Sequence, residues 1–273
     1  MRTTFPGFET PWSEFTGAGE HYDRYRPSYP SEVARAIIDH ATNKRLDGAI
    51  VDAGSGTGIF TRVLAMEAQG RFSVIGIEPN ADMAQIATRS SPRDLQIEFR
   101  VAPAEQLPFP NTSISAIAAA TAAHRFDRQA FYDEAARTLF PGGILALVHN
   151  RHRYWDSPAL AEYHELVEQC VPEYRRGSFT TRAGTYSTVD FCGELGFDRR
   201  FGNVNVRNWD WDFDTNLSHF LALSFSSGLI QRSASAIGER AVTQKLTEIF
   251  ERYSQNGILR QPHVTEVTFA TKH

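Results

Sequence analysis

Cysteine is scarce in this chain: Cys170 and Cys192 are the only two in 273 residues, and they form no CxxC pair. That excludes a disulfide framework and a cysteine-built metal centre, and it fits a reducing compartment. Long apolar runs are also missing, since none approaches the roughly 18 residues that a membrane span requires. The opening residues Met1 to Gly7 lack the apolar core of about 7–15 residues that marks a secretory leader. A cytoplasmic protein with no membrane partner is expected. Positive charge is not in excess: 28 Lys and Arg stand against 32 Asp and Glu, for a formal net charge of −4. Phosphate backbones call for a basic face, so no nucleic-acid partner is expected. The paired arginines Arg175 and Arg176, and Arg199 and Arg200, read as solvated surface charge. With 41% hydrophobic and 22% charged residues, the chain has the balance of a globular protein of one large domain or a domain with an insertion.

Against these absences, residues 51–58 stand out, reading VDAGSGTG. An apolar run ends at Asp52 and is followed by Gly54, Gly56 and Gly58 before a helical pattern begins. Glycine admits positive φ and lets a ligand lie against the backbone, while the amides opening the next helix present partial positive charge. The dinucleotide spacing GxGxxG would require glycine at 59, where Ile59 stands. A second apolar run, residues 73–77, ends at Glu78. An acid at a strand end accepts both hydroxyls of a ribose, so Glu78 marks an adenosine ligand, and the glycine spacing chooses S-adenosylmethionine (SAM) over NAD.

Apolar runs alternate with amphipathic segments, which describes βαβ units and a parallel sheet. Strands are predicted at 49–53, 73–77, 97–101, 114–120 and 144–148. Helices follow the first with Ile59, Phe60, Val63 and Leu64 on one face, and the second with Met83 and Ile86. The run 113–123 has high helix propensity, yet a helix there would break the alternation. Phe131, Ala135 and Leu139 repeat at i, i+4 and i+8 in a helix expected to stop at Pro141, Gly142 and Gly143. Downstream, 157–171 reads as a helix, 180–187 as a polar loop, 201–206 as a sixth strand and 264–270 as a last strand.

Four segments in order carry a resemblance to the class I SAM-dependent methyltransferases, small-molecule (type 11) branch. They are YDRYRPSYP at 22–30, the glycine turn, AEQLPFP at 104–110 with HRFD at 124–127, and EAARTLFPGG at 134–143. Ala102 stands where the family often has glycine, and Arg125 where it often has tryptophan. The resemblance implies an α/β, Rossmann-like class I methyltransferase fold: a seven-stranded, mostly parallel sheet with the last strand antiparallel, plus a helical cap. The implied organisation is an N-terminal helical segment covering the cofactor site (1–45), a SAM-binding α/β core (46–208), a cap insertion (209–258) and a final core strand (259–273). Base-modifying branches carry an Asn-Pro-Pro-Tyr or Pro-Cys signature after the fourth strand. Here that place holds Thr121, Ala122, Ala123 and His124.

By this resemblance Asp52, Gly54, Ser55, Gly56, Thr57 and Gly58 wrap the methionyl part of SAM, and Glu78 takes the ribose, with Pro79 and Met83 beside it. Ala104, through its backbone N–H, and Glu105 or Gln106 contact the adenine, although the acid many relatives carry at Pro103 is missing. Tyr22, Tyr25 and Arg26 fold over the methionyl end, and Thr121, after the fourth strand, is counted with the cofactor-binding residues. A cation near aromatic rings gains about 0.5–2 kcal/mol, which suits that placement. His124 and His219 are the candidate bases, imidazole being the side chain most often used for that work. His149 and His152 lack the carboxylates of a metal site, and no metal is expected. The implied activity is methyl transfer to a small, partly apolar acceptor, oxygen favoured over nitrogen or carbon, by a monomer or homodimer. A SAM-dependent cyclisation and a nicotinamide-dependent oxidoreductase are the alternatives.

Overall fold

In the computed structural model, which describes residues 19–181 and 183–273, the chain enters through two helices, α1 (Gly19–Tyr25) and α2 (Ser31–Asn43). Residues 1–18, part of the expected N-terminal segment, lie outside the described residues. The α/β core then runs β1 (Ala49–Ala53), α3 (Ile59–Ala68), β2 (Val74–Ile77), α4 (Ala81–Ser90), β3 (Glu98–Arg100), β4 (Ile114–Ala120), α5 (Arg128–Thr138) and β5 (Leu139–His152). There follow α6 (Pro158–Cys170), a small hairpin of β6 (Phe179–Thr180) and β7 (Tyr186–Ser187), α7 (Phe191–Phe197), β8 (Phe201–Thr215), three helices α8 (Leu217–Phe225), α9 (Gly228–Ile237) and α10 (Glu239–Tyr253), and β9 (Leu259–Lys272).

The main sheet has seven strands in the order β3-β2-β1-β4-β5-β9-β8. The first five pair parallel, and β9 runs antiparallel to both β5 and β8. Chain order reverses between β1 and β4, and open α/β sheets hold ligands beyond the strand carboxyl ends at such a point.

Parity along the strands decides which side chains reach which layer. In β5, Leu145 and Leu147 enter the core under α5 and α7, whereas Ile144, Ala146 and Val148 enter the opposite core under α2 and α3. A third core is built by α6, α8, α9 and α10 around Phe220, Ile230, Leu246 and Phe250. Polar side chains open helices by taking up their free first-turn amides: Asn80 caps α4 by accepting from the amides of Asp82 and Met83, and Asp127 caps α5 by accepting from Ala130.

β4 forms as expected despite its alanines, because both faces are covered and its neighbours β1 and β5 supply the hydrogen bonds. Three local expectations differ. Leu139 is not the last helical residue but the first of β5, paired with Ile114. Residues 209–215, expected in the cap, continue β8, because Trp209 to Thr215 pair in register with β9 residues Thr265 to Leu259. The 180–187 loop is bracketed by the β6/β7 hairpin.

Candidate cofactor and acceptor site

The turn after β1 is shaped by three glycines with three different constraints. Gly54, at φ +70, would drive a Cβ to 2.6 Å from the Ala122 methyl. Gly58, at φ +81, would bring one within 2.8 Å of Phe99. At Gly56, φ +56, the nearest atom to such a Cβ is the Met83 methyl at 3.8 Å. Gly56 is thus where a ligand has room against the backbone, while Gly54 and Gly58 let β1, α3 and their neighbours close up.

Glu78, 7% exposed, joins the two halves of this seat. Its Oε2 accepts from the Gly56 amide at 2.9 Å and its Oε1 from the Asn80 amide at 2.9 Å. Burial pushes its carboxyl up and these amides oppose that. Each carboxylate oxygen keeps a further lone pair, which suits a ribose diol. Asp52, 1% exposed, accepts from Thr61 Oγ1 at 2.6 Å through Oδ2, and its Oδ1 is buried with no partner among the described residues. Burial, with Glu78 adding to it, raises the Asp52 carboxyl to about 7 against the pull of Thr61.

One cavity of about 190 Å³ runs from this seat across the sheet edge. A single water needs only about 10–15 Å³, so the space is sized for an organic ligand. Its first end is lined by Asp52, the 54–57 turn, Glu78, Pro79 and Met83; its second by Asn150, His152 and His263. Tyr22, Arg26 and Tyr29 roof it. The roof is tied down at several points. Arg62 bridges Asp23 at 2.7 Å, Tyr29 shares a hydrogen bond with Thr121 Oγ1 at 3.0 Å, and Asn150 donates to the Ser28 carbonyl at 3.1 Å. Arg26 donates to the Ser226 carbonyl on the α8 side and lies 4.8 Å over the Tyr22 ring, and its Nε is buried without a partner among the described residues. Thr121, at φ +52, turns the chain out of β4 beside the cavity.

Of the residues expected to hold the cofactor, Tyr22, Arg26, Asp52, Gly54, Ser55, Gly56, Thr57, Glu78, Pro79, Met83 and Thr121 line this one cavity. Tyr25, Gly58, Ala104 and Glu105 do not. Tyr25 packs on His21 and His219, Ala104 is in the core, and Glu105 accepts from the Asp127 amide. The two candidate bases are also elsewhere. His124 faces the α5 and α7 side, packed on Phe179 and His149, where burial first and His149 second hold its imidazole well below the usual range. His219 shares a hydrogen bond with the Tyr25 carbonyl. The imidazoles that do line the cavity, His152 and His263, sit opposite each other in the β5/β9 ladder. Parity sends Asn150 and His152 to the cavity and His149 to the other face. The signal for His152 and His263 was the register of β9, which periodicity does not supply.

A parallel sheet reversing at β1/β4, an acid-led glycine turn, a carboxylate tipping β2 and an antiparallel penultimate strand define a class I, Rossmann-like nucleoside-cofactor protein. Residues 51–147 match the family described as "Methyltransferase domain". A candidate methyltransferase of Dictyostelium discoideum is 31% identical over 134 residues, 49% of this chain and 48% of that protein. An uncharacterized methyltransferase of Mycobacterium tuberculosis is 31% identical over 136 residues, 50% of this chain and 51% of that protein. The chain spans about half the length of these curated relatives. Among solved structures, a candidate type II methyltransferase from Anaeromyxobacter dehalogenans superposes with a TM-score of 0.67 over 91% of this chain and 98% of that one, at 18% identity, a likeness of fold. Residues 51–147 thus match a methyltransferase domain, set in a class I, Rossmann-like methyltransferase fold.

The residues present fit SAM. Asp52 Oδ1, Ser55 Oγ, Thr57 Oγ1 and Arg26 Nε are buried polar atoms without partners among the described residues, at or beside the cavity, and orphaned groups of this kind are costly unless a ligand satisfies them. Gly56 leaves the backbone open beside them.

Proposed function

We propose that this protein binds SAM and transfers its methyl group to a small, partly apolar acceptor, with oxygen favoured over nitrogen or carbon. One observation carries the reading: a single cavity joins the glycine turn and Glu78 to a separate polar end formed by Asn150, His152 and His263. In this assignment Glu78 holds the ribose diol, Asp52 and the 54–57 turn hold the methionyl ammonium, and Arg26 pairs the carboxylate. SAM supplies the electrophilic methyl on its sulfonium. The protein's part is alignment and exclusion of water, and effective molarities of about 10⁵–10⁸ M show how much rate alignment carries. Tyr22, Tyr29, Phe60, Phe126 and Leu223 make the apolar walls, which suit a sulfonium by cation–π attraction and an apolar acceptor by burial.

Incubation with methyl-labelled SAM and a panel of phenols, carboxylic acids and amines tests this. The expected result is label in an extractable product with stoichiometric S-adenosylhomocysteine. Bound SAM with no label transferred to any class of the panel would count against methyl transfer, and tight binding of NAD instead would overturn the cofactor assignment.

A further inference from the structure

The polar end of the cavity has a hydrogen-bond polarity that can be worked out atom by atom. His263 Nδ1 lies 2.8 Å from the Gln261 carbonyl oxygen. A carbonyl only accepts, so Nδ1 carries the proton and a neutral ring bears its lone pair on Nε2. No protein hydrogen bond reaches Nε2 among the described residues, it is not among the sealed polar atoms, and the ring lines the cavity. Trp211 stacks on the ring at 4.7 Å and fixes its plane. Burial keeps His263 neutral by lowering it to about 4.

The neighbouring ring has the opposite polarity. Tyr174 is buried, and the one hydrogen bond of its hydroxyl among the described residues is to His164 Nδ1 at 3.2 Å. A buried phenol with one partner, itself able to accept, is satisfied by donating to it. His164 then holds its proton on Nε2 and donates to His152 Nδ1 at 3.2 Å. His152 in turn carries its proton on Nε2. The His152 and His263 rings meet edge to face at 4.8 Å, both lining the cavity.

We propose that His152 Nε2–H and His263 Nε2 are a donor and acceptor pair that selects a neutral hydroxyl, a phenol or enol, as the methyl acceptor. This rests on the methyltransferase reading above and names its substrate class. The hydroxyl donates to His263 Nε2, and its oxygen, or an adjacent carbonyl, accepts from His152. In the reaction the hydroxyl proton passes to His263 Nε2 as the oxygen–methyl bond forms and the sulfonium carbon–sulfur bond breaks, leaving a neutral thioether. The resulting imidazolium is held by the Gln261 carbonyl. A carboxylate would set an anion against the His263 lone pair. The nearby cations do not rescue it: in the cofactor complex Arg26 is engaged with the methionyl carboxylate, and Arg125 has a partner within the protein.

Binding to the protein saturated with S-adenosylhomocysteine separates the two readings, because the first titration tests the cofactor assignment alone. In that complex 2-naphthol is expected to bind roughly tenfold or more tighter than 2-naphthoate at pH 7. In His263→Phe the naphthol affinity should fall to the naphthoate level. Equal or tighter binding of naphthoate, or no binding of naphthol to protein that binds S-adenosylhomocysteine, overturns the proposal. Nitrogen-15 spectra of histidine-labelled wild-type protein give a second reading that needs no variant. They should show His263 protonated on Nδ1 and His152 on Nε2, and the reverse assignment at either ring contradicts the pairing.

Discussion

The two ends of the cavity are built in different ways. The cofactor end comes from short contiguous stretches, 52–57 and 78–83, and much of its geometry is backbone: positive φ at Gly54 and Gly56, an amide of Gly56 on Glu78, an amide of Asn80 on the same carboxylate. The proposed acceptor end is drawn from the N-terminal segment, the ends of β4 and β5, α8 and β9. It is held by chains of side chains, such as Trp211 to Thr265 at 2.9 Å, Thr265 to Asn150 at 2.6 Å and Asn150 to Ser28. A local backbone seat tolerates variation around it, whereas an end assembled from distant segments changes with each of them. The family match over 51–147 covers the first end and stops short of Asn150, His152 and His263.

That contrast can be broken or sharpened by substitution. Glu78→Ala should have the largest effect, removing the proposed ribose acceptor and the partner of two amides. Loss of about 1.5–3 kcal/mol in S-adenosylhomocysteine binding is expected, read by calorimetry. Asp52 should give a pH signature. With its carboxyl raised to about 7, ionisation improves its hold on the ligand ammonium, so affinity should rise roughly tenfold from pH 6 to 8 and become flat in Asp52→Asn. The sign for stability is the reverse. Between the ordinary carboxylate range and about 7 the folded state holds a proton the unfolded chain has released, so this group's contribution to ligand-free stability falls as pH rises through that window.

His149 lies outside both ends, and neither ring nitrogen has a partner among the described residues. Burial, with Arg151 adding to it, lowers it to about 3, so its contribution is full above about pH 6.5 and is lost as pH falls towards 3. His149→Phe keeps the ring that stacks on Phe191 and removes the unsatisfied nitrogens. A gain of about 1 kcal/mol, near 2–4 °C in melting temperature, is expected. The smallest effect on the cofactor should come from Thr265→Val, which cuts the side-chain chain at the acceptor end. S-adenosylhomocysteine affinity should stay within roughly twofold while naphthol binding weakens.

Legibility in the sequence followed the same division. Asp52, the glycines and Glu78 were readable because turn chemistry and strand-end chemistry are local, and the order of strands followed from apolar alternation and family resemblance. Leu139 was misplaced because an apolar residue at a helix end is also a good strand opener. β8 outran its expected end because Trp209, Trp211 and Phe213 read equally as cap residues until β9 pairs with them. His124 drew attention because it follows the fourth strand, whereas only parity along β5 and the β5/β9 register bring His152 and His263 to the cavity.

Titration of S-adenosylhomocysteine into wild-type protein and Glu78→Ala by calorimetry reaches the centre of the account. It predicts saturable one-to-one binding that weakens roughly ten- to a hundredfold in the variant. Absence of heat with folded wild-type protein, or equal affinity in the two, would contradict it.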